Sequence, residues 1–323
     1  MSYLLKIANN RRHRQSLKQQ RGVVIVIALF IVALAATMAY VMMSRLERDT
    51  RRTSLLLHYT QANFYAQGSI VWAMDQLRNN WERQKTNKLV DEIPIKSPEN
   101  VMNGYKISST IYDMQSRFNL NNLNNDPESQ TNFVRLLQAV SPDLSLQKAQ
   151  EITRATVDWI TPLTQENAYS KFYLSLSPAY QTAHRPMMSS SELRLVQGMT
   201  PALFHALEPY IVALPSALPI NVQTAPAPVL MSLSPNVSLD VAKTIVETRS
   251  QTPFTSLQTF FNLDIIKNHQ LTMNNVTVTS QYFLVETKVA IEKQTLVLYT
   301  LLERVANGNK VLLTILWQSK NIW

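Results

Sequence analysis

Val23 to Met43 reads VVIVIALFIVALAATMAYVMM, 21 residues without one charged side chain. At about 1.5 Å of rise per residue this run makes a helix of roughly 30 Å, the thickness of a bilayer's hydrocarbon core. Lys6, Arg11, Arg12, Arg14, Lys18 and Arg21 precede it with no acidic residue among them. Charge returns directly behind it in Arg45, Glu47, Arg48, Asp49, Arg51 and Arg52. By the positive-inside rule the leading basic block stays in the cytoplasm, so a single pass is expected to carry everything beyond residue 44 across the membrane.

The helical pattern continues past the apolar run. Leu55, Ala62, Ala66, Ile70, Ala73, Leu77 and Trp81 recur at spacings of seven, four, four, three, four and four, one apolar stripe on an amphipathic helix that needs a globular partner to cover it. From Val23 to about Trp81 the expectation is one helix of nearly 60 residues. After a polar loop holding Pro94 and Pro98, Tyr105–Tyr112 has the β-branched and aromatic content of a strand. Three more β-rich runs follow near the end of the sequence: Tyr282 to Ile291, Leu296 to Val305 and Val311 to Trp317. Glu292 to Thr295 separates the first two, and Ala306 to Lys310, with its Asn307-Gly308 hairpin signal, separates the last two. An antiparallel meander packed on the long helix is therefore expected, an α+β fold.

Between these sheet pieces, from 119 to 273, the signals are helical. Ser189 and Glu192 form a capping box opening Leu193 to Val196; Thr200-Pro201 opens a helix through Tyr210; Thr224 precedes an Ala, Val and Leu-rich helix; Ser238 opens Leu239 to Arg249. The expected division is a leader (1–22), a transmembrane helix (23–43), the helix continuation with the first strand (44–118), an inserted helical domain (119–273) and the terminal antiparallel strands (274–323).

Composition excludes several chemistries. Five glycines in 323 residues stand too far apart for G-x-G-x-x-G or G-x-x-x-x-G-K-[ST], which removes the usual glycine-built phosphate cradles. No cysteine is present, so disulfides, thiolate metal sites and a cysteine nucleophile are all out. The net charge of +9 suggests nucleic acid until it is divided: residues 1–22 carry six of the nine, and the other 301 residues carry 25 basic and 22 acidic side chains. His13, His58, His184, His205 and His269 are scattered, with no H-E-x-x-H and no i, i+4 pair, and no G-x-S-x-G elbow exists. No enzyme is expected.

Arg21-Gly22 immediately before the apolar run resembles the leader junction of type IV prepilins and pseudopilins, which are cut after the glycine. On that reading cleavage falls between Gly22 and Val23, and Val23 becomes the N-methylated first residue. A plain membrane anchor with a chance glycine, and a signal-peptidase cut at Ala33-Leu34-Ala35, stand as alternatives. Most pilin-like proteins carry Glu at mature position five, which here is Ile27; its absence suits a subunit at the end of a filament, or one outside any filament.

The phrase Asp113-Met114-Gln115-Ser116-Arg117-Phe118-Asn119-Leu120-Asn121-Asn122-Leu123 resembles the segment after the first strand in the K-type minor pseudopilins of bacterial type II secretion systems (general secretion pathway protein K). Asp158-Trp159-Ile160, Phe172-Tyr173-Leu174 with Tyr180, Ser191 to Val196, Pro209-Tyr210 and Ile220 to Pro226 fit the same family in the same order. The resemblance implies a pseudopilin fold with a helical insertion and a missing position-five glutamate. It also implies a minor pseudopilin cut and methylated by the prepilin peptidase, anchored in the inner membrane with its C-terminal domain in the periplasm. Its implied place is the pseudopilus tip, where it joins the I-type and J-type minor pseudopilins to start or cap assembly and supports protein export, with the secretin and exoprotein substrates as further contacts. Family members often bind calcium behind the Asp-Trp phrase. Here Asp158 and Glu166 are the acids on hand, and the other positions of that stretch are uncharged, which is little for a cation that wants several hard oxygens.

A second function class comes from the helical pairs around Gly198 and Pro235, which look like helix-hairpin-helix units and raise a membrane-anchored DNA-binding protein as the alternative. Their turns, Gln197-Gly198-Met199 and Ser234-Pro235-Asn236-Val237, hold one glycine between them and no basic excess, so no nucleic acid is expected as a partner.

Overall fold

The structure, a computed structural model, describes residues 4–85, 93–124, 126–162, 168–267, 275–292, 294–308 and 310–320. The chain divides into two compact units, Met1–Gln61 and Ala62–Trp323. A single helix, α1 (Leu4–Lys85), enters both. No proline occurs before Pro94 and the glycines in this span are Gly22 and Gly68, so nothing forces a break. The helix begins before the expected Val23. Among the described residues it is the one helix long and apolar enough to cross a membrane. Every side chain from Val23 to Met43 is exposed, which is consistent with a helix that crosses a membrane.

In the second unit, the stripe of α1 is buried at Ala62, Ala66, Ile70, Ala73 and Leu77, with Trp81 half-buried. Leu55, the first residue of the expected stripe, is exposed: the covered face starts at Ala62, because the burying layer begins there. That layer is an antiparallel sheet. Two short strands, β1 (Ile95–Lys96) and β2 (Asn100–Met102), lie on β3 (Tyr105–Asp113) in the segment read above as a polar loop. Their signal was Asn103-Gly104, which turns β2 into β3 with φ of 51° and 83°, the two positive values a type I′ hairpin needs.

From Asp113 the chain leaves the sheet and returns at β8 (Tyr282–Ile291), which pairs with β3 in the register Asp113 to Phe283 and Ile107 to Val289. Before it returns, the chain forms the helical body. Its elements in order are β4 (Phe118–Asn119), α2 (Pro127–Val140), α3 (Leu146–Ile160), α4 (Ala168–Leu174), α5 (Pro201–Leu207), β5 (Ile211–Val212), β6 (Ile220–Asn221), α6 (Ala227–Ser232), α7 (Leu239–Gln251), α8 (Leu257–Phe261), α9 (Asp264–Lys267) and β7 (Val276–Thr277). β4 pairs with β5 and β6 with β7, both parallel. After β8 come β9 (Gln294–Asn307) and β10 (Lys310–Lys320), longer than expected at both ends. Asn307 pairs with Lys310, so Asn307 belongs to the ladder and the turn follows it, with Gly308 at φ 59°.

Two main cores result. One lies between α1 and the sheet, where Ile107 and Ile111 of β3, Phe283, Val285 and Val289 of β8, and Leu296, Leu298 and Leu302 of β9 meet the alanine-rich face of the helix. The other is the interior of the helical body, reaching from Phe118 to Val276. Capping is local and follows the sequence: Asp126, Ser145, Ser189, Thr200 and Ser238 each accept from a backbone N–H of the turn they open. Thr224 is different. The following helix starts at Ala227 behind Pro226, and the Thr224 hydroxyl turns away to Asp113.

Candidate functional site

Asp113 ends β3 at the point where the chain passes from sheet to helical body. Its Oδ1 accepts from the Gln115 backbone N–H at 2.9 Å. Its Oδ2 accepts from Asn221 Nδ2 at 2.9 Å, Ser280 Oγ at 2.7 Å and Thr224 Oγ1 at 2.5 Å. Burial pushes this fully enclosed carboxyl up from its ordinary range, and these four donors oppose the shift. Gln115 extends the junction by donating to the Pro219 carbonyl at 3.1 Å and accepting from Gln281 N at 2.5 Å.

The asparagines that follow imitate backbone. Asn119 Oδ1 accepts from Leu214 N and its Nδ2 donates to Ser216 O. Asn121 accepts from Met187 N and donates to the carbonyls of Met187 and Leu214. Asn122 accepts from Leu218 N and donates to Leu218 O. A side-chain amide carries one acceptor and two donors on a plane, like a peptide group, so three of them stitch the irregular 214–218 stretch where no strand partner is available. The phrase 113–122 is thus a polar seam.

The other phrases read from the sequence converge on a second cluster. Trp159 packs edge-on against Tyr173 with centroids 5.5 Å apart, and Tyr180 lies 5.3 Å from Tyr173. Trp159 Nε1 donates to Glu192, whose other carboxylate oxygen accepts from the Met188 and Ser189 N–H groups. Tyr173 is fully buried, its hydroxyl accepts from Gln197 N at 2.9 Å, and burial pushes its pKa up to about 12. Tyr180 donates to Leu195 O at 2.8 Å. Every polar end of this aromatic knot has a partner, so it stabilises the body.

Several site residues expected from the sequence stay apart. Gly22, Val23 and Ile27 lie on α1 in the first unit, with Val23 60% and Ile27 53% exposed. Asp158 is half-buried on α3, whereas Glu166 lies outside the described residues. Among the described residues, no group of three or more His, Cys, Asp or Glu is placed to hold a metal. His184 sits between Thr182 and the Thr161 carbonyl, and His205 is 3.6 Å from Glu208, two unrelated local contacts. Gly198 has a φ of 87°, and a Cβ there would come 2.9 Å from Ile152 Cγ1. Close packing against α3 therefore explains this glycine, without a phosphate nest.

Two profiles of the family described as Type II secretion system (T2SS), protein K match residues 116–216 and 220–279. Type II secretion system protein K of Klebsiella pneumoniae is 31% identical over 76% of this chain and 79% of its own length. The chain belongs to the protein K family of the type II secretion system. The protein K of Pseudomonas aeruginosa is 28% identical over 90% of both chains. In fold, the chain is similar to a chain in the crystal structure of the GspK-GspI-GspJ complex from the type 2 secretion system of enterotoxigenic Escherichia coli, with a TM-score of 0.70 and 21% identity over 84% of this chain and all of that one. Membership makes it a minor pseudopilin, a structural component of the secretion apparatus, and α1 is consistent with a single-pass membrane anchor. The DNA-binding alternative has no counterpart in these relatives. The first profile begins at Ser116, inside the polar seam, and the second ends at Thr279, one residue before the Ser280 that closes it on Asp113.

Proposed function

We propose that this protein stands at the tip of the type II secretion pseudopilus, joined to the I-type and J-type minor pseudopilins, and starts or caps assembly there to support protein export. The observation that carries the reading is the likeness in sequence and fold to protein K, since a relative of this fold was solved in a GspK-GspI-GspJ complex. Ile27 supports it: an apolar residue at mature position five asks for no neighbour's amine in the filament core, and a carboxylate without one would be costly there. The helical body supports it too, since a large insertion between β3 and β8 adds bulk a repeating filament subunit has no use for.

The prepilin peptidase cuts between Gly22 and Val23 and leaves Val23 as the methylated N-terminus, with residues 1–22 as the leader and the domain beyond residue 44 in the periplasm. The secretin and exported proteins are the further contacts of such a tip. Asp158 and Glu166 bring little charge for calcium, so the reading does not depend on that ion, and calcium titration of the full chain tests it.

The deciding experiment is intact-mass and N-terminal peptide analysis of the protein from cells with and without their prepilin peptidase, paired with co-purification of the I-type and J-type partners. A methylated Val23 dependent on the peptidase, and a stable ternary complex, are the expected results. An unprocessed Met1 terminus, or a cut after Ala35 in both strains, removes the pseudopilus role.

A further inference from the structure

Between the C-terminal part of α1, the sheet and α7 lies a cavity of about 260 Å3, and both Arg249 of α7 and Arg304 of β9 open onto it. We infer that this cavity is a binding site for a small oxyanion, a phosphate or a carboxylate. Among the described residues, no aspartate or glutamate lines it.

The hydrogen-bonding capacity of the wall is one-sided. Arg249 spends Nη1 on the Val222 carbonyl at 2.7 Å. Arg304 spends Nη2 on the Ser280 carbonyl at 2.7 Å and reaches the Leu77 carbonyl at 3.5 Å. A guanidinium has five N–H donors, so most of both forks remains to be satisfied. The Thr224 and Ser280 hydroxyl protons are committed to Asp113. Gln223 Oε1 accepts from Phe254 N at 2.8 Å, which leaves its amide N–H groups as further donors. Donors are in surplus, and the Arg304 charge is offset only in part, by Asp113.

Burial pulls both arginines down to about 10, the desolvation expected of a guanidinium that has carbonyl partners and no carboxylate in contact. Asp113 offsets Arg304 in part, and among the described residues no carboxylate does the same for Arg249. Asn80 supplies an independent sign: it is 1% exposed, lines the cavity, and its Oδ1 has no hydrogen-bond partner. An unmet acceptor at such depth is costly unless something enters to meet it. A monohydrogen phosphate brings both acceptor oxygens for the guanidiniums and a hydroxyl for Asn80, whereas a carboxylate meets the guanidiniums alone.

The test is isothermal titration calorimetry on the full-length protein in non-ionic detergent, with inorganic phosphate in one arm, malonate in a second and chloride at matched ionic strength as the blank. Saturable binding in the phosphate or malonate arm is expected, and which arm binds tells a phosphate site from a carboxylate site. Arg249→Gln is expected to weaken it at least tenfold, the loss of one charged hydrogen bond. Asn80→Asp places a carboxylate in the cavity and is expected to abolish the added-anion response while keeping the native circular dichroism, so it decides the matter if Arg249→Gln fails to fold. No saturable heat in either arm, heat equal to the chloride blank, or unchanged affinity in both variants would overturn the assignment. Because none of these readouts involves the N-terminus or the partner pseudopilins, failure here leaves the tip role standing.

Discussion

In the layer made by α1 and the sheet, buried side chains recur with the period of the element that carries them: every three or four residues on the helix, every second residue along β3. Inside the helical body the elements are short and the covering surface is irregular. There the chain is held by side chains bonded to distant groups, side chains for Asp113 and backbone for Gln115 and the three asparagines, and by the aromatic knot around Tyr173. The contrast teaches where stability comes from when regular structure runs out. Sheet ladders satisfy backbone groups cooperatively, whereas a loop such as 214–218, between two-residue strands, needs side-chain amides to do it one bond at a time.

This contrast can be broken by substitution, read by urea unfolding of the full-length protein and by residue-level amide exchange. The largest effect is expected at Trp159→Ala, which empties the centre of the knot and strips Glu192 of a donor; a loss of about 4 kcal/mol should appear, with protection lost in α2 and α3 before β8 and β9. Leu77→Ala is its mirror in the layer. A loss of about 3 kcal/mol is expected, and there β8 and β9 should open first.

Asp113→Ala tests whether the two regions are one cooperative unit. It strands the buried donors of Asn221, Ser280 and Thr224, so a loss of about 2–3 kcal/mol is expected, with both regions losing protection together because the carboxylate stands at their seam. Separate transitions in this variant would mean that the helical body folds independently of the sheet. A smaller effect, about 2 kcal/mol, is expected at Gly198→Ala, from the left-handed backbone and the crowding of Ile152. Smallest is Ser238→Ala, which removes the cap of α7 and should cost about 1 kcal/mol without moving either core.

The caps show how much of the helical body was readable. Ser189, Thr200 and Ser238 act within three residues of themselves, and each was found in the sequence where the structure has it. Thr224 has the same residue type in the same kind of position, yet its hydroxyl serves a carboxylate 111 residues away. The strands β1 and β2 escaped notice for a different reason. They are edge strands of two and three residues, too short for alternation to register, and the Asn103-Gly104 turn between β2 and β3 was their one local mark.

By itself the sequence determined the long apolar run, an amphipathic continuation behind it, the long antiparallel strands and the turns capped by Ser189, Thr200 and Ser238. Each of these is a periodicity or a capping contact between near neighbours, imposed by backbone geometry on a short window of residues. Tertiary structure alone decided that Asp113 closes on Asn221 and Ser280, 108 and 167 residues further along, and that Asn80, Arg249 and Arg304 face one cavity. Those partners are chosen by how the folded elements pack, and a polar side chain carries no local trace of which distant group will satisfy it.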